Sequence, residues 1–387
     1  MGRASQRNPV GAFTLLSGGS NAWRWAGKLA IITPFMIAVF YTIVTVWLII
    51  YFLQAATGDL EYLAQPNTFP EIIGSPSLFT YFIGLQVLVF AVLGLIIFVM
   101  TLDGASAGVR YYLVPDFSQL DSSVINAALN QAFFSLSLGM GIMITYGSYF
   151  SETDSIPGST RLVALADTSV AFFAGLLILP AIFAFNPSTN PDDLSSSSVG
   201  LIFTYLPQIF LSMQGAVGYV GASIVASVFF ALVFFAAVTS LVSILEIPIS
   251  YMIDEWEMPR TKAVLIQAAL VSFFALFAAM SFGMSDFLTD FIPYGGGPKS
   301  FFDLIADTFS EVILPFVGFL ACILCAYRWR DGGLSKELNR GDEHYAGTLM
   351  ERYVNFSLRT FIPVVLMFVF LNSLSQKYFA FDLLSLI

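Results

Sequence analysis

The sequence predicts an all-α protein that crosses a membrane several times, and three observations carry that prediction. Of its 387 residues, 57% are hydrophobic and only 11% are charged, against about 25% charged in soluble domains. Forty phenylalanines in one chain exceed what a single water-soluble core hides. Apolar runs of about 20 residues, the length of a bilayer-spanning helix, recur along the whole chain. The same numbers exclude a soluble enzyme, a secreted disulfide scaffold and a disordered chain. With 16 Lys and Arg against 26 Asp and Glu, the net charge of −10 offers no basic face to a nucleic acid.

The apolar segments define the elements in order. Met1–Ser20 is polar, lacks a signal-peptide core and reads as a loop. Spans are expected at Leu29–Ala55, Leu78–Thr101, Val124–Phe150, Leu162–Phe185, Val217–Ser250, Ala263–Phe282, Phe301–Tyr327 and Tyr353–Leu374, about eight membrane helices in all. Asn186–Ser198 reads NPSTNPDDLSSSS, a turn-rich loop. Gly200–Met213 is too short to span and reads as a loop helix. Cys322 and Cys325 lie on one face of an apolar helix as packing residues, and the single histidine, His344, lies in a polar loop, so no zinc-type metal site is expected.

Charge orients the chain. Arg3, Arg7, Arg24 and Lys28 precede the first span, and Arg328, Arg330, Lys336, Arg340 and Arg352 precede the last. Such basic loops belong in the cytoplasm, whereas Ala56–Ser77 and Asn186–Gln214, with no Lys or Arg, belong outside. Seven spans separate the two basic loops, an odd number, so they cannot share a side. The conflict falls on Leu78–Thr101, whose length suffices for one crossing, not two.

Three places break the apolar pattern where chemistry is expected. Ser135, Ser137, Gly139 and Gly141 sit mid-span. Broken helices at membrane depth expose backbone groups that bind cations and anionic substrate groups, although small residues also serve close helix packing. Asp167, in ALADTSVAFFAG, is a carboxylate among apolar residues and needs a cation, a proton or a buried partner. The alternative is an interfacial carboxylate near a helix end marked by Arg161. In FFAAVTSLVSILE, the hydroxyls of Thr239, Ser240 and Ser243 suit a hard cation such as sodium, or simply bond the preceding helical turn.

These strings together resemble the neurotransmitter:sodium symporter family in its prokaryotic branch. The matching pieces are QRNPVGAF (Gln6–Phe13), NQAFFSLSLGMGIMITYGSY (Asn130–Tyr149), LADTSVAFFAG (Leu165–Gly175), LPQIF (Leu206–Phe210) and FFAAVTSLVSILE (Phe234–Glu246). The resemblance implies a leucine-transporter-like inverted-repeat bundle with a midplane substrate site. By that resemblance the chain begins where the second family helix ends and has one helix, Leu78–Thr101, where the family has two. Residues 1–123 then form an incomplete first repeat, 124–328 the second repeat, and 329–387 a cytoplasmic loop and final helix.

The resemblance also implies roles. Tyr41 and Phe134 match the aromatic pair that lids the substrate, and Ile37, Ser137, Met140, Ser240 and Ile244 match pocket positions. Ser135 and Asp167 match ligands of a first sodium ion; Ala236 (through its backbone oxygen), Thr239 and Ser240 match those of a second. Tyr149 and Asp254 match an inner gate. Asp307, like Asp303, lies near the outer-gate aspartate with spacing off by one residue. The implied function is sodium-coupled symport of an amino acid or related amine across the cell membrane, with no cofactor beyond sodium as coupling ion; by the same resemblance the chain is incomplete, and residues 1–387 alone are expected not to carry out uptake. Ile37, Met140 and Ile244 point to an apolar substrate side chain. The alternatives are a non-transporting remnant and a membrane scaffold or regulatory subunit. No enzymatic activity is implied, and the partners are the substrate, sodium and the lipid bilayer.

Overall fold

The computed structural model describes residues 1–65, 68, 96–97, 99–185, 203, 206–329, 333–342, 345–381 and 383. These residues are almost wholly helical. The long helices are α3 (Asn21–Thr57), α8 (Ile156–Phe185), α10 (Gln214–Trp256), α11 (Arg260–Met280) and α17 (Phe361–Phe379). Between and around them lie α1 (Gly2–Ser5), α2 (Pro9–Leu16), α4 (Leu60–Leu63), α5 (Ala105–Leu113), α6 (Ser122–Ser135), α7 (Ile142–Gly147), α9 (Leu206–Ser212) and α12 (Asp286–Thr289). A two-stranded antiparallel hairpin, β1 (Ile292–Tyr294) with β2 (Gly297–Lys299), precedes α13 (Phe301–Ile305). A π-helical stretch, Ala306–Ile313, then leads into α14 (Leu314–Ile323) and a second one, Leu324–Arg328. Finally, α15 (Gly333–Asn339) and α16 (Leu349–Arg359) precede α17. Five described segments are long and apolar enough to cross a membrane: Ile156–Ala184, Val217–Trp256, Arg260–Met280, Phe301–Arg328 and Phe361–Phe379.

The chain divides into two compact units. The first comprises Met1–Tyr41, Gln119–Asp167 and Leu241–Ile387. Its main core joins Ile31, Ile37 and Ala38 of α3 to Met140, Ile142, Ile244, Ile247, Val271 and Leu314, with Val10 of α2. A neighbouring cluster packs Phe13 with Ala26, Ala30, Val317 and Leu324. The second unit comprises Thr42–Ser118 and Thr168–Ser240. Its centre is aromatic: Phe203 lies 4.8 Å from Tyr51 and 5.9 Å from Trp47 between ring centroids, and Phe230 lies 5.3 Å from Tyr51. Leu60 and Leu63 of α4 are buried there, and α4 packs against α9.

Local chemistry explains where several elements begin. Asn8 accepts hydrogen bonds from the backbone N–H groups of Val10 and Gly11, and Pro9 follows at the first helical position, so α2 starts there. The expectation of a loop over Met1–Ser20 is therefore corrected. Arg3, Asn8, Val10, Ala12 and Phe13 are buried, and a cap plus an N-terminal proline was the sequence signal for a helix. Arg3 is not a solvated loop charge: its side chain is 1% exposed. It donates to the Glu337 carboxylate and to the backbone oxygens of Glu337, Asp154 and Arg340, binding α1 to α15 and to the turn at Asp154. At that turn the backbone N–H and hydroxyl of Ser151 hold the Asp154 carboxyl below its ordinary range.

The last span starts later than Tyr353. Pro363 has no N–H for the Arg359 carbonyl and its ring collides with that carbonyl in a continuous helix. The chain breaks at Thr360, with φ −119° and ψ −88°, and Tyr327 Oη donates to the freed Arg359 oxygen. At the other end of the chain's order of spans, α8 begins at Ile156, before the predicted Leu162, so Arg161 lies inside that helix and does not mark its end. The predicted span Leu78–Thr101 and the loop Asn186–Ser198 lie mostly or wholly outside the described residues.

Candidate functional site

The expected break in the third span is present. Helix α6 ends at Ser135, α7 starts at Ile142, and the six residues between are non-helical. Ser137 N–H closes on Phe134 O at 3.1 Å and Leu138 N–H on Phe133 O at 2.9 Å, ending α6. Ser137, Gly139 and Gly141 adopt φ of 54°, 74° and 78°. A left-handed non-glycine residue costs about 1–2 kcal/mol, so Ser137 sits there only because its neighbours impose it. Two of those neighbours must be glycine for a second reason. A Cβ at position 139 would lie 2.4 Å from Leu314 O, and one at 141 would lie 2.7 Å from Ala30 O. The break is thus clamped between α14 and α3. Two helix ends meet at it, each offering backbone groups with no intrahelical partner.

Asp167 lies at this break. Ser135 Oγ is 2.7 Å from Asp167 Oδ1 and 2.9 Å from Oδ2, so one hydroxyl hydrogen is shared between both carboxylate oxygens. Asp167 is half-buried and stands three turns into α8, about 16 Å from the helix start at 1.5 Å per residue. Among the described residues no lysine or arginine pairs with it.

Five of the seven predicted pocket residues are brought together in the first unit. Ile37, Met140 and Ile244 are buried in one cluster, and Tyr41 and Phe134 pack against it. The Tyr41 and Phe134 rings lie 6.4 Å apart with planes inclined by 40°. Ser137 belongs to the adjoining break. Ser240 lies on α10 one turn before Ile244 but belongs to the second unit. A bond that sequence reasoning missed, Tyr146 Oη to Ser243 Oγ at 2.7 Å, ties α7 to α10 beside Ile244.

Ala236, Thr239 and Ser240 share one turn of α10, in the second unit. Thr239 Oγ1 donates to Ala236 O at 2.9 Å, the local bond that helical threonines commonly make. The oxygens expected for the second ion are therefore adjacent, with one of them accepting from its own helix.

The residues expected at the gates have partners that were not foreseen. Asp254 Oδ2 accepts from Asn8, through the backbone N–H at 3.1 Å and Nδ2 at 3.0 Å. Tyr149 Oη donates to Glu246 Oε1 at 3.1 Å. Arg260 grips the same Glu246 with both terminal nitrogens, at 2.9 and 2.8 Å. Asp307 lies in the first π-helical stretch. It accepts from Lys377 Nζ at 2.9 Å and Tyr294 Oη at 3.1 Å, and Lys377 also reaches Glu311 at 2.9 Å. Asp303 instead caps α13 with Ser300. The signal for these pairs was available as isolated charges, Glu246 and Lys377, within apolar stretches.

Known proteins share this chain's sequence and fold. A family model described as the sodium:neurotransmitter symporter family matches residues 73–382. A sodium-dependent transporter of Bacillus subtilis, YhdH, is 30% identical over 402 residues, covering 96% of this chain and 84% of the relative. A sodium-dependent transporter of Haemophilus influenzae is 25% identical, covering 97% and 85%. Among solved structures, MhsT in complex with L-phenylalanine aligns with a TM-score of 0.78 at 30% identity, covering 96% of this chain and 85% of that one.

Proposed function

From the premise that this chain belongs to the sodium:neurotransmitter symporter family, we propose that it couples sodium entry to import of an amino acid with an apolar side chain. The family makes it a sodium-dependent, multi-pass membrane transporter rather than an enzyme. The finer reading rests on one observation above all: a carboxylate with no cationic partner among the described residues stands at a clamped helix break, beside a buried apolar cluster of Ile37, Met140 and Ile244 against which Tyr41 and Phe134 pack. The phenylalanine held by MhsT supports an apolar substrate.

The residues suggest how coupling works. The Ser135 hydroxyl oxygen and the Asp167 carboxylate offer a sodium ion hard oxygen ligands, and the ion neutralises a charge that is costly at membrane depth. Helix ends at the break offer the substrate's charged groups backbone N–H and C=O partners. The apolar pocket takes the side chain, and the Tyr41 and Phe134 rings close over it. Ion and substrate share the Ser135–Gly141 segment, so filling one site organises the other. The Ala236, Thr239 and Ser240 oxygens serve a second ion. Tyr149 and Asp254 work at the inner gate and Asp307 at the outer. In this reading residues 124–328 form the second of two inverted repeats, the basic loops face the cytoplasm, and the protein resides in the cell membrane. The remnant and scaffold readings gain nothing from relatives described as transporters.

The test is uptake of radiolabelled L-phenylalanine and other apolar amino acids into liposomes containing the full-length protein, with an inward gradient of sodium or of choline. Saturable uptake with sodium alone is the expected result. Equal uptake with both cations, or none with any apolar amino acid, would refute the proposal.

A further inference from the structure

We infer that α16 is an interfacial helix, lying on the membrane surface with an apolar stripe in the lipid and two arginines on anionic headgroups. The helix is self-contained at its start: Thr348 Oγ1 accepts from Glu351 N–H at 3.2 Å, and Glu351 Oε2 accepts from Gly347 N–H at 2.7 Å. Its apolar side chains nevertheless face outward. Leu349 is 81% exposed, Tyr353 59% and Phe356 63%. Spacings of four and three residues align these three along one stripe of the helix. The other face is engaged, with Ser357 buried and Asn355 Nδ2 donating to Ser335 Oγ of α15 at 3.0 Å. Arg352 and Arg359, both exposed and seven residues apart, line the same flank of the stripe.

Two observations choose lipid as the occupant. Only Thr360 separates α16 from α17, a membrane-crossing segment whose first turn also exposes Phe361 and Val364. The stripe therefore continues the apolar outer surface of a membrane-capable segment and lies within about three and a half turns of its start. The charges fit as well: an amphipathic helix with basic residues beside an apolar face is the pattern that inserts at the headgroup boundary. Each arginine there gains about 1 kcal/mol from an anionic surface, close to a fivefold gain in occupancy.

The experiment uses the full chain with Cys322→Ala and Cys325→Ala, carrying a single nitroxide label at Leu349→Cys, Tyr353→Cys, Phe356→Cys or the exposed control Lys336→Cys. Each variant is reconstituted in liposomes of phosphatidylcholine with or without phosphatidylglycerol. Relaxation by oxygen, which concentrates in lipid, is compared with relaxation by a water-soluble nickel chelate. Oxygen should dominate at the three stripe positions and nickel at the control. Omitting phosphatidylglycerol, or adding Arg352→Gln with Arg359→Gln, should lower the lipid-inserted fraction about fivefold per arginine lost. Nickel dominating along the stripe would place it in water. Low access to both reagents would mean that protein, such as a second copy, covers it. An oxygen pattern indifferent to phosphatidylglycerol and to the arginines would remove the anionic headgroups from the proposal. Leu349, the most exposed of the three, keeps the test valid if a label elsewhere disturbs folding.

Discussion

Asp167 and Glu246 are both carboxylates within long apolar helices, and their surroundings differ in one respect that decides their use. Glu246 receives two N–H groups from Arg260 and a hydroxyl from Tyr149, so its charge is balanced and both oxygens are engaged. Among the described residues, the hydrogen bond that reaches Asp167 comes from the Ser135 hydroxyl, shared between both carboxylate oxygens. An ionised carboxylate has about four lone-pair sites, and one hydroxyl leaves most of them unused. A paired carboxylate can join helices or brace a gate. A carboxylate whose partner among the described residues is one hydroxyl keeps oxygen lone pairs that a cation can use.

The strongest test of that contrast is Asp167→Ala, which should abolish sodium-dependent uptake, measured in liposomes alongside the unchanged protein. Asp167→Asn sharpens it further. The parent should transport equally when gluconate replaces chloride, because its own carboxylate offsets the sodium charge. The neutral variant should lose at least about tenfold in apparent sodium affinity, roughly 1.4 kcal/mol, or regain activity only with chloride. A parent that needs chloride, or a variant that behaves identically in every buffer, breaks the comparison.

Next in size is Gly139→Ala, which acts on the geometry that brings Ser135 to Asp167. Its Cβ meets Leu314 O and its φ is 74°, so the protein should lose about 2 kcal/mol or more of stability. Thermal unfolding in detergent reads this directly. Ser135→Ala should leave the fold intact and weaken apparent sodium affinity by about 1 kcal/mol, the scale of one hydrogen-bonding group. The smallest effect is expected from Arg260→Gln. Its side chain is 62% exposed, so solvent screening limits the pair to about 1 kcal/mol or less. Melting temperature should fall slightly while chloride independence persists. If Arg260→Gln changed ion dependence as Asp167→Asn does, Glu246 rather than Asp167 would be the coupling carboxylate.

Much of the site was legible because its residue types are improbable in lipid. Serines and glycines at mid-span announced the break between α6 and α7, and the structure shows it at Leu136–Gly141. Ile37, Met140 and Ile244, far apart in sequence, converge in one buried cluster. The partners of Asp254, Glu246 and Asp307 were not legible, since Asn8, Arg260 and Lys377 reach them across the fold and no periodicity links their positions. The helical N-terminal segment was legible in principle: Asn8-Pro9 is a cap and an N1 proline, obscured by polar composition.

By itself, the sequence determined that this is a multi-pass membrane protein, roughly where several of its apolar helices lie, which stretch cannot remain helical and which carboxylate is out of place. These properties are local, because apolar length, glycine, proline and lone charges act over a few residues. Only the tertiary structure decided which charges are spent on each other and which has no charged partner among the described residues. Pairing requires side chains to come within about 3 Å, and that distance is set by how helices pack, not by where residues stand along the chain.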